Sequence, residues 1–310
     1  IGESNSMGGS SSNYSNTNRN IEDLIFDSQK ESMQKAVKSE INGFIESILK
    51  NVNKRDINTI NTHLNTIKKA LEKDIEGSID LYFGGSVKKY TYVNGLSDID
   101  MLVKLNDTSL QNKTPKEVLK YFESRLRERL PNTNITVGTL AVTVKFSSGN
   151  EIQILPSIKQ GSGYKIATAD GIKWSNLVKP DKFTEKLTSV NKSNGNRVIP
   201  IIKILKIINE NQNPNNQLKG YHIESLAIKA FKTYNGRNDY YSMLSHFCNS
   251  IKDDVLCKIV DKTGQSIHVD EYLGENNSIE RKRISNCYNR INNILNSTDI
   301  NQIKNLIELR

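Results

Sequence analysis

Hydrophobic residues recur every three or four positions in two segments near the start of the chain. This spacing puts the apolar side chains of each segment on one face of a helix. The first segment runs from Ile21 to about Lys50, and the second follows Asp56, a residue type that often caps helices. The apolar positions are Met33, Val37, Ile41, Phe44, Ile48 and Leu49 in the first, and Ile57, Ile60, Leu64, Ile67 and Leu71 in the second. The pattern predicts two amphipathic helices.

The period then changes to the alternation that is typical of strands. The segment "SIDLYF" leads into Gly84 and Gly85, and "DIDMLVKL" follows the next loop. In "TPKEVLKYFESRLRERL", Thr114, Pro115 and Glu117 form a capping box with proline at the first helical position. The segments "NITVGTLAVTVKF" and "EIQILPSIK" flank the turn "SSGN" and predict a hairpin. This part therefore combines helices with a small mixed sheet.

Beyond Pro180 the pattern is largely helical. The segments are "DKFTEKLTSVNKSN", "VIPIIKILKIINENQ", "YHIESLAIKAFKTY", "YYSMLSHFCNSIKDDV" and an amphipathic stretch from Ile279 to Arg310. We predict an α+β protein with three parts. Residues 1–20, rich in Ser, Asn and Gly, form a disordered tail or derive from expression; residues 21–180 form a lobe with the sheet; residues 181–310 form a helical lobe. A groove is expected between the lobes.

The composition narrows the class of protein. Hydrophobic residues make up 36% and charged residues 25% of the 310 positions, as in globular proteins. The most apolar run, "VIPIIKILKII" from Val198, is too short to span a bilayer and carries two lysines, so no membrane partner is expected. Cys248, Cys257 and Cys287 share no metal or redox spacing. We therefore expect free thiols, no zinc site and a cytoplasmic location.

The net charge is +9, from 43 Lys and Arg against 34 Asp and Glu. Such an excess favours anionic partners, either nucleotides or a nucleic acid, but it is also found on surfaces that only interact with water. The charge by itself leaves these alternatives open.

Two aspartates stand at alternate positions of one predicted strand. Residues two apart in a strand point to the same face, so Asp98 and Asp100 project side by side. Their neighbours are apolar, and unpaired carboxylates in a buried strand are costly. Paired carboxylate oxygens suit magnesium, which keeps open positions for substrate phosphates. The pattern predicts a metal site.

A glycine turn precedes these aspartates. Gly84 and Gly85 allow a tight turn and a close approach to a ligand, and a helix that opens after them directs free N–H groups at an anion. The Ser86 hydroxyl adds a donor for a phosphate oxygen. Together with Asp98 and Asp100, the turn predicts a site for a nucleoside phosphate.

This turn and its Asp-x-Asp motif resemble those of the DNA polymerase β-like nucleotidyltransferases. More narrowly, "GGSVKKYTYVNGLSDIDMLV", "EIQILPSIKQGSGYKI", "VIPIIKILK" and "YHIESLA" resemble the bacterial cGAS/DncV-like nucleotidyltransferases (CD-NTases) of the SMODS type. These are the cyclic oligonucleotide synthases of CBASS anti-phage systems. The resemblance extends from about Tyr82 to Tyr234.

The resemblance implies a polymerase β-like nucleotidyltransferase lobe and a helical lobe, with nucleoside triphosphates bound in the groove. It also implies Mg²⁺, or Mn²⁺ in its place, held by Asp98, Asp100 and a third carboxylate. The family usually carries that carboxylate at the position of Gln153. Glu151 lies two residues earlier on the same strand face, so it is our candidate for the third catalytic and metal-binding residue. The alternative is a site with two carboxylates.

The remaining candidates are nucleotide-binding residues, namely Gly85, Ser86, Gln153, Lys203, Lys206 and Tyr221. Lys203 and Lys206 share a helix face, and the resemblance places Lys206 at the donor triphosphate. The alternative interpretation is that both are solvated surface lysines without a role in binding. Tyr221 and Trp174 are able to stack on a base, although both residue types are more often packing residues.

We expect the product to be a cyclic di- or trinucleotide that a separate effector protein detects. A linear nucleotidyltransferase, of the oligoadenylate synthase or RNA-tailing type, is one alternative, and a catalytically weak RNA-binding sensor is another. Animal relatives in the superfamily are switched on by double-stranded nucleic acid, which implies a structured RNA as a candidate activator here. The candidate RNA-binding residues are Arg125, Arg127, Arg281 and Arg283.

Overall fold

The computed structural model describes residues 21–53, 57–72, 75, 79–93, 96, 99–168, 170–259 and 269–309. Three predictions fall outside these residues: the tail over residues 1–20, the helix cap Asp56 and the first aspartate of the motif, Asp98. Within the described ranges, no helix combines the length and hydropathy needed to cross a bilayer.

The predicted elements are present in the predicted order, except that the extended segment "NITVGTLAVTVKF" forms two antiparallel strands. The helices are α1 (Ile21–Val52), α2 (Ile57–Glu72), α3 (Gly85–Lys88), α4 (Pro115–Arg129), α5 (Pro180–Ser193), α6 (Val198–Glu210), α7 (Gly220–Phe231), α8 (Tyr240–Asp254), α9 (Ile279–Leu295) and α10 (Ile300–Ile307). The strands are β1 (Asp80–Phe83), β2 (Ile99–Lys104), β3 (Asn134–Val137), β4 (Val142–Lys145), β5 (Glu151–Gln160) and β6 (Gly163–Lys165). The stretch after Ile279, expected to be amphipathic, forms two helices because the side chain of Asp299 caps a new one.

The strands form one mixed sheet in the order β1-β2-β5-β4-β3, with β6 paired to the far end of β5. Strands β2 and β5 are parallel, and the other pairs are antiparallel. The hairpin predicted around "SSGN" is confirmed as β4 and β5. In the parallel pair, Asp100 lies opposite Gln153. This register decides which side chain of β5 neighbours the aspartate motif.

Helices α2 and α4 cover the sheet and close the first hydrophobic core. Leu71 of α2, Phe122 of α4 and Ile154 of β5 are all fully buried in it. The capping box of α4 is confirmed: Thr114 Oγ1 accepts from the backbone N–H of Glu117 at 3.3 Å, and Glu117 Oε2 accepts from that of Thr114 at 2.8 Å. The sequence pattern alone predicted where this helix begins, because a capping box involves only residues that are close together in the chain.

Helix α1 packs with the C-terminal helices, although the sequence analysis grouped it with the sheet. Its buried stripe, which includes Val37, Ile41 and Ile45, joins a second hydrophobic core with residues of α5 to α10. Helix α1 contacts α6, α8 and α10 directly. The spacing of apolar residues predicts which face of a helix is buried but not which helix covers it. The division of the chain at residue 180 stays a prediction.

Candidate functional site

The glycine turn packs directly against the aspartate motif. Gly85 begins α3 with a φ of +42°, in the left-handed region that favours glycine. A Cβ atom at this position would lie 1.5 Å from Asp100 Oδ2. The backbone N–H of Gly84 donates to the Asp100 carbonyl at 2.8 Å, and that of Ser86 donates to Asp100 Oδ2 at 3.3 Å. The missing side chain of Gly85 is therefore what lets the turn and the carboxylate meet.

The turn lines a cavity of about 810 Å³ between the sheet and the helices α5 to α7. This volume falls within the range of small-molecule sites, roughly 300 to 1,000 Å³. Of the predicted site residues that the structure describes, it is lined by Gly85, Ser86, Asp100, Gln153, Lys206 and Tyr221. The tertiary structure thus brings together residues from four separate sequence motifs.

Ser86 is buried, yet its hydroxyl has no hydrogen-bond partner among the described residues. Buried polar groups in native proteins are nearly always hydrogen-bonded, so an unpaired hydroxyl in a cavity wall indicates a missing ligand or water. This agrees with the predicted contact of Ser86 with a phosphate oxygen.

The side chain that neighbours Asp100 on β5 is Gln153. The two residues are paired in register, so their side chains lie on the same face, and both line the cavity. Glu151 shares that face, but its carboxylate forms an ion pair with Lys145 of β4, and it is absent from the cavity-lining residues that the structure describes. The assignment of Glu151 as the third metal ligand stays a prediction. The described contacts favour Gln153 for this place.

A buried charge cluster lines the same cavity, and the sequence analysis missed two of its charged members. Glu224 of α7, with 1% of its surface exposed, forms ion pairs with Lys89 and with Lys206, the second at 3.0 Å from Nζ to Oε1. Thr91 Oγ1 also donates to Glu224, and Lys206 Nζ donates to the Thr91 carbonyl at 3.1 Å. Nothing in the sequence pattern connects "KKYT" with "YHIESLA", because 133 residues separate Thr91 from Glu224.

The Asp100 and Glu224 carboxylates, which both line the cavity, differ in acidity. Burial raises the pKa of Asp100, while the nearby Lys89 and the Ser86 N–H act in the opposite direction. Burial alone would also raise the pKa of Glu224, but Lys89 and Lys206 outweigh it and lower this pKa to about 2. Glu224 is therefore a permanent anion at neutral pH. Asp100 gains most from an additional cation in the cavity.

The three remaining candidates, Tyr221, Lys203 and Trp174, lie in different surroundings. Tyr221 lines the cavity; its ring centroid lies 4.5 Å from that of Phe183, and Lys89 Nζ lies 4.8 Å from the Tyr221 centroid. Lys203 Nζ instead donates to Asn53 at the end of α1, and Lys203 is not among the described cavity-lining residues. Trp174 packs against the first core, and its Nε1 donates to the Lys113 carbonyl at 2.9 Å. Its predicted alternative role as a packing residue fits these contacts.

The prediction that Arg281 contacts RNA is wrong, because its side chain is 0% exposed. Its guanidinium donates to the carbonyl of Val255 at 2.9 Å and that of Cys257 at 3.0 Å. It also forms an ion pair with Asp270 at 3.1 Å. This arginine connects the segment after α8 with the segment before α9.

The other three candidate arginines lie nearer the surface. Arg125 and Arg127 of α4 form ion pairs with Glu128 at 2.8 Å and with Glu123 at 3.0 Å. Arg283 of α9 is exposed. Their contact with RNA stays a prediction.

The oxygen donors in the cavity fit a hard divalent cation. Asp100 contributes a carboxylate and Gln153 an amide oxygen; the two are paired in register, and both line the cavity with Ser86. Within the described residues there is no cluster of three or more His, Cys, Asp or Glu side chains able to hold a metal. Asp98, two positions before Asp100, lies outside those residues. The donor set therefore fits magnesium, with an amide where a third carboxylate is usual.

A family model for the SMODS domain, the Second Messenger Oligonucleotide or Dinucleotide Synthetase domain, matches residues 36–191. No curated protein matches the chain.

Solved structures of low sequence identity share the fold. The structure of CdnC from E. coli MS115-1 with ATP has a TM-score of 0.61 at 14% identity and covers 86% of this chain and 96% of its own. That of the CD-NTase CdnG from Bradyrhizobium diazoefficiens with GTP has a TM-score of 0.63 at 10% identity and covers 83% and 91%. That of the Vibrio cholerae DncV cyclic AMP-GMP synthase with a linear intermediate has a TM-score of 0.61 at 10% identity and covers 94% and 91%.

Proposed function

This chain belongs to the family of Second Messenger Oligonucleotide or Dinucleotide Synthetases, which are nucleotidyltransferases, and we propose that it joins nucleoside triphosphates into a cyclic di- or trinucleotide. The observation that carries the proposal is the contact between the glycine turn and Asp100 inside a cavity of about 810 Å³. This contact puts phosphate-binding groups and a metal-binding carboxylate on one wall.

Nucleotide binding uses groups on both sides of the cavity. Ser86 supplies an unpaired hydroxyl, and the ammonium group of Lys206 faces the triphosphate from the helical side. Tyr221 offers an aromatic surface for a base. The solved relatives support nucleoside triphosphates as the ligands, since CdnC was determined with ATP and CdnG with GTP.

Asp98, Asp100 and Gln153 would hold magnesium or manganese, with Glu151 as an alternative to Gln153. The cation supplies Lewis-acid chemistry, activation of the acceptor hydroxyl and neutralisation of the leaving pyrophosphate. The protein's own part is to orient the two nucleotides, so that the hydroxyl of one approaches the phosphorus of the other. Lysine ammonium groups compensate the charge that develops on the phosphate oxygens. A second transfer in the same cavity closes the ring.

The biological role follows from the product class. A small cyclic nucleotide diffuses to a separate effector protein, as expected for a CBASS anti-phage system. Activation by a structured RNA remains part of this proposal, supported only by the net charge of +9 and the surface arginines.

The experiment is incubation with all four labelled nucleoside triphosphates and magnesium or manganese, with and without structured RNA. Mass analysis and phosphatase resistance identify the product, because a ring has no terminal phosphate. We expect pyrophosphate release and a phosphatase-resistant product. The Asp98→Asn/Asp100→Asn double variant is the matched control and should make none.

Other results would select an alternative. A phosphatase-sensitive product would indicate a linear nucleotidyltransferase. RNA binding without any pyrophosphate release would indicate a catalytically weak sensor, and both results would reject the proposed cyclisation.

A further inference from the structure

The Glu224 cluster connects elements that belong to different hydrophobic cores. Lys89 and Thr91 follow α3, on the side of the sheet, whereas Lys206 and Glu224 belong to α6 and α7 of the helical part. The glycine turn with Ser86 lies directly before Lys89 in the chain. The ion pair between Lys89 and Glu224 therefore fixes the position of the glycine turn relative to α6 and α7.

The cluster contains two ammonium groups and one carboxylate, nearly all of it removed from water. The side chains of Lys89, Lys206 and Glu224 are 9%, 10% and 1% exposed. Glu224 neutralises one of the two ammonium groups, so this cluster by itself carries one net positive charge. That charge acts on Asp100 and on any anionic ligand in the cavity.

Both lysines also line the cavity, so each one pairs with Glu224 and borders the space that a ligand would fill. An ammonium group has three N–H donors. Lys206 Nζ directs its donors to Glu224 Oε1 at 3.0 Å, the Thr91 carbonyl at 3.1 Å and Thr91 Oγ1 at 3.2 Å, so it acts on a phosphate through its charge. The ion pair of Lys89 with Glu224 leaves Lys89 donors for phosphate oxygens. The Lys89 stem additionally packs near two aromatic rings, with Nζ at 4.8 Å from the Tyr221 centroid and 5.3 Å from that of Phe183. These contacts restrict the direction in which Lys89 presents its charge.

We propose that Glu224 is a positioning residue that holds Lys89 and Lys206 as a pair of ammonium groups, and that Lys89 is a further binding residue for the nucleotide triphosphate. This inference rests on the proposed function and deepens it. Without Glu224 the two ammonium groups repel each other and leave their common wall, while the cavity keeps its positive charge. The arrangement needed in the transition state is then lost, although attraction for the triphosphate remains.

The first test measures triphosphate binding and turnover separately in Glu224→Gln. Calorimetric titration with a non-hydrolysable ATP analogue, without metal, gives the affinity and the fraction of competent protein. Pyrophosphate release gives turnover. We expect the binding stoichiometry to be unchanged and the Kd of the analogue to rise by no more than about threefold. Turnover should fall by at least about tenfold. Glu224→Asp, which keeps the charge but shortens the side chain, should recover part of the turnover.

The second test addresses Lys89 itself. Lys89→Met removes the ammonium group and keeps the apolar stem, so we expect the analogue Kd to rise by about tenfold, the effect of one lost charge-assisted contact. The matched control is Asp254→Asn, which breaks the 2.7 Å ion pair between α8 and Lys229 of α7, away from the cavity-lining residues. The control should change neither affinity nor turnover.

Glu224→Gln leaves Lys89 and Lys206 without their anionic partner and should lower the stability of the fold. The Glu224→Gln/Lys89→Met variant removes one charge of each sign and preserves the net charge of the cluster. We expect it to fold and to retain low turnover. Wild-type turnover in this variant, or in folded Glu224→Gln, would overturn the positioning role. A loss of turnover fully explained by reduced stoichiometry would do the same.

The outcomes separate this inference from the proposed function. A wild-type protein that binds the analogue but releases no pyrophosphate rejects the synthase activity. The Lys89→Met titration still decides the binding role in that case, and an unchanged Kd would overturn it.

Discussion

The carboxylate of Asp100 occupies the space that a side chain at position 85 would need. A Cβ atom on Gly85 would lie 1.5 Å from Asp100 Oδ2 and 2.3 Å from its Cγ. The glycine turn and the Asp100 carboxylate are therefore packed as one unit of structure. Neither part of the motif is able to move without the other.

Gly85→Ala should consequently displace Asp100. We expect the left-handed backbone to cost about 1 to 2 kcal/mol and the displacement to lower turnover by about hundredfold or more. Urea unfolding and pyrophosphate release measure the two effects. Gly161→Ala is the matched control, because Gly161 also has a positive φ, of +56°, but no atom within 4 Å of the added Cβ. Equal turnover in the two variants would contradict the role of this contact.

A carboxylate at position 153 should strengthen the metal site. Gln153 pairs in register with Asp100, so Gln153→Asp places two carboxylates side by side. Like charges repel without a cation, so we expect a lower Tm without magnesium, a larger Tm increase when magnesium is added, and higher turnover. Thermal scans with and without magnesium check this. An unchanged response to magnesium would show that position 153 does not face the metal.

Glu151 provides the comparison for that experiment. The sequence analysis favoured it as the third ligand, but its carboxylate pairs with Lys145 at a partly exposed position. We expect Glu151→Gln to change turnover by less than about threefold, since exposed ion pairs contribute little. A loss of orders of magnitude in Glu151→Gln would instead assign it the metal-binding role.

Stability should fall as the pH drops from about 6.5 towards 4, partly because of His222. Burial lowers the pKa of His222 to about 4, from an ordinary value of 6.5. Between these values the unfolded chain binds a proton that the folded protein excludes, so the free energy of unfolding decreases as the pH falls, by up to about 3 kcal/mol.

The His222→Asn variant isolates this contribution. Its amide can replace the contact between His222 Nδ1 and the Tyr272 hydroxyl, which is 2.9 Å long, but does not titrate. Urea unfolding at several pH values should show a shallower pH dependence in the variant. Parallel curves for the two proteins would contradict this origin.

Arg281 and Arg283 should respond very differently to the same substitution. Arg281→Ala removes a fully buried guanidinium and leaves Asp270 without its ion-pair partner, so we expect a loss of about 3 to 5 kcal/mol. Arg283→Ala changes an exposed residue and should stay within about 0.5 kcal/mol. Urea unfolding of both variants measures the difference.

This contrast determines how the RNA hypothesis is tested. Charge reversal is restricted to Arg125, Arg127 and Arg283, because reversal at the fully buried Arg281 would put a negative charge beside Asp270 and destabilise the fold. If RNA activates the enzyme through these residues, the variant should lose RNA stimulation and keep its basal turnover, and binding should weaken steeply with salt. Stimulation that survives the three reversals would reject this surface.

Local features were predictable from the sequence because neighbouring residues determine them. The alternation around Asp100, the glycine turn and the capping box of Thr114 each follow from backbone geometry over a few positions. The resemblance of the motifs was confirmed by the family match over residues 36–191.

The contacts between distant segments were decided by the tertiary structure. The sequence shows that Arg281 and Glu224 are charged, but their burial depends on segments outside their own helices, 26 positions away at Val255 and 133 at Thr91. In the same way, the apolar stripe of α1 was visible, whereas its packing against the C-terminal helices was not. Periodicity specifies which face of an element is buried, and only the complete fold specifies the partner, because burial and ion pairing depend on distances in space. The Glu224 cluster exists because folding brings Lys89 within reach of α7.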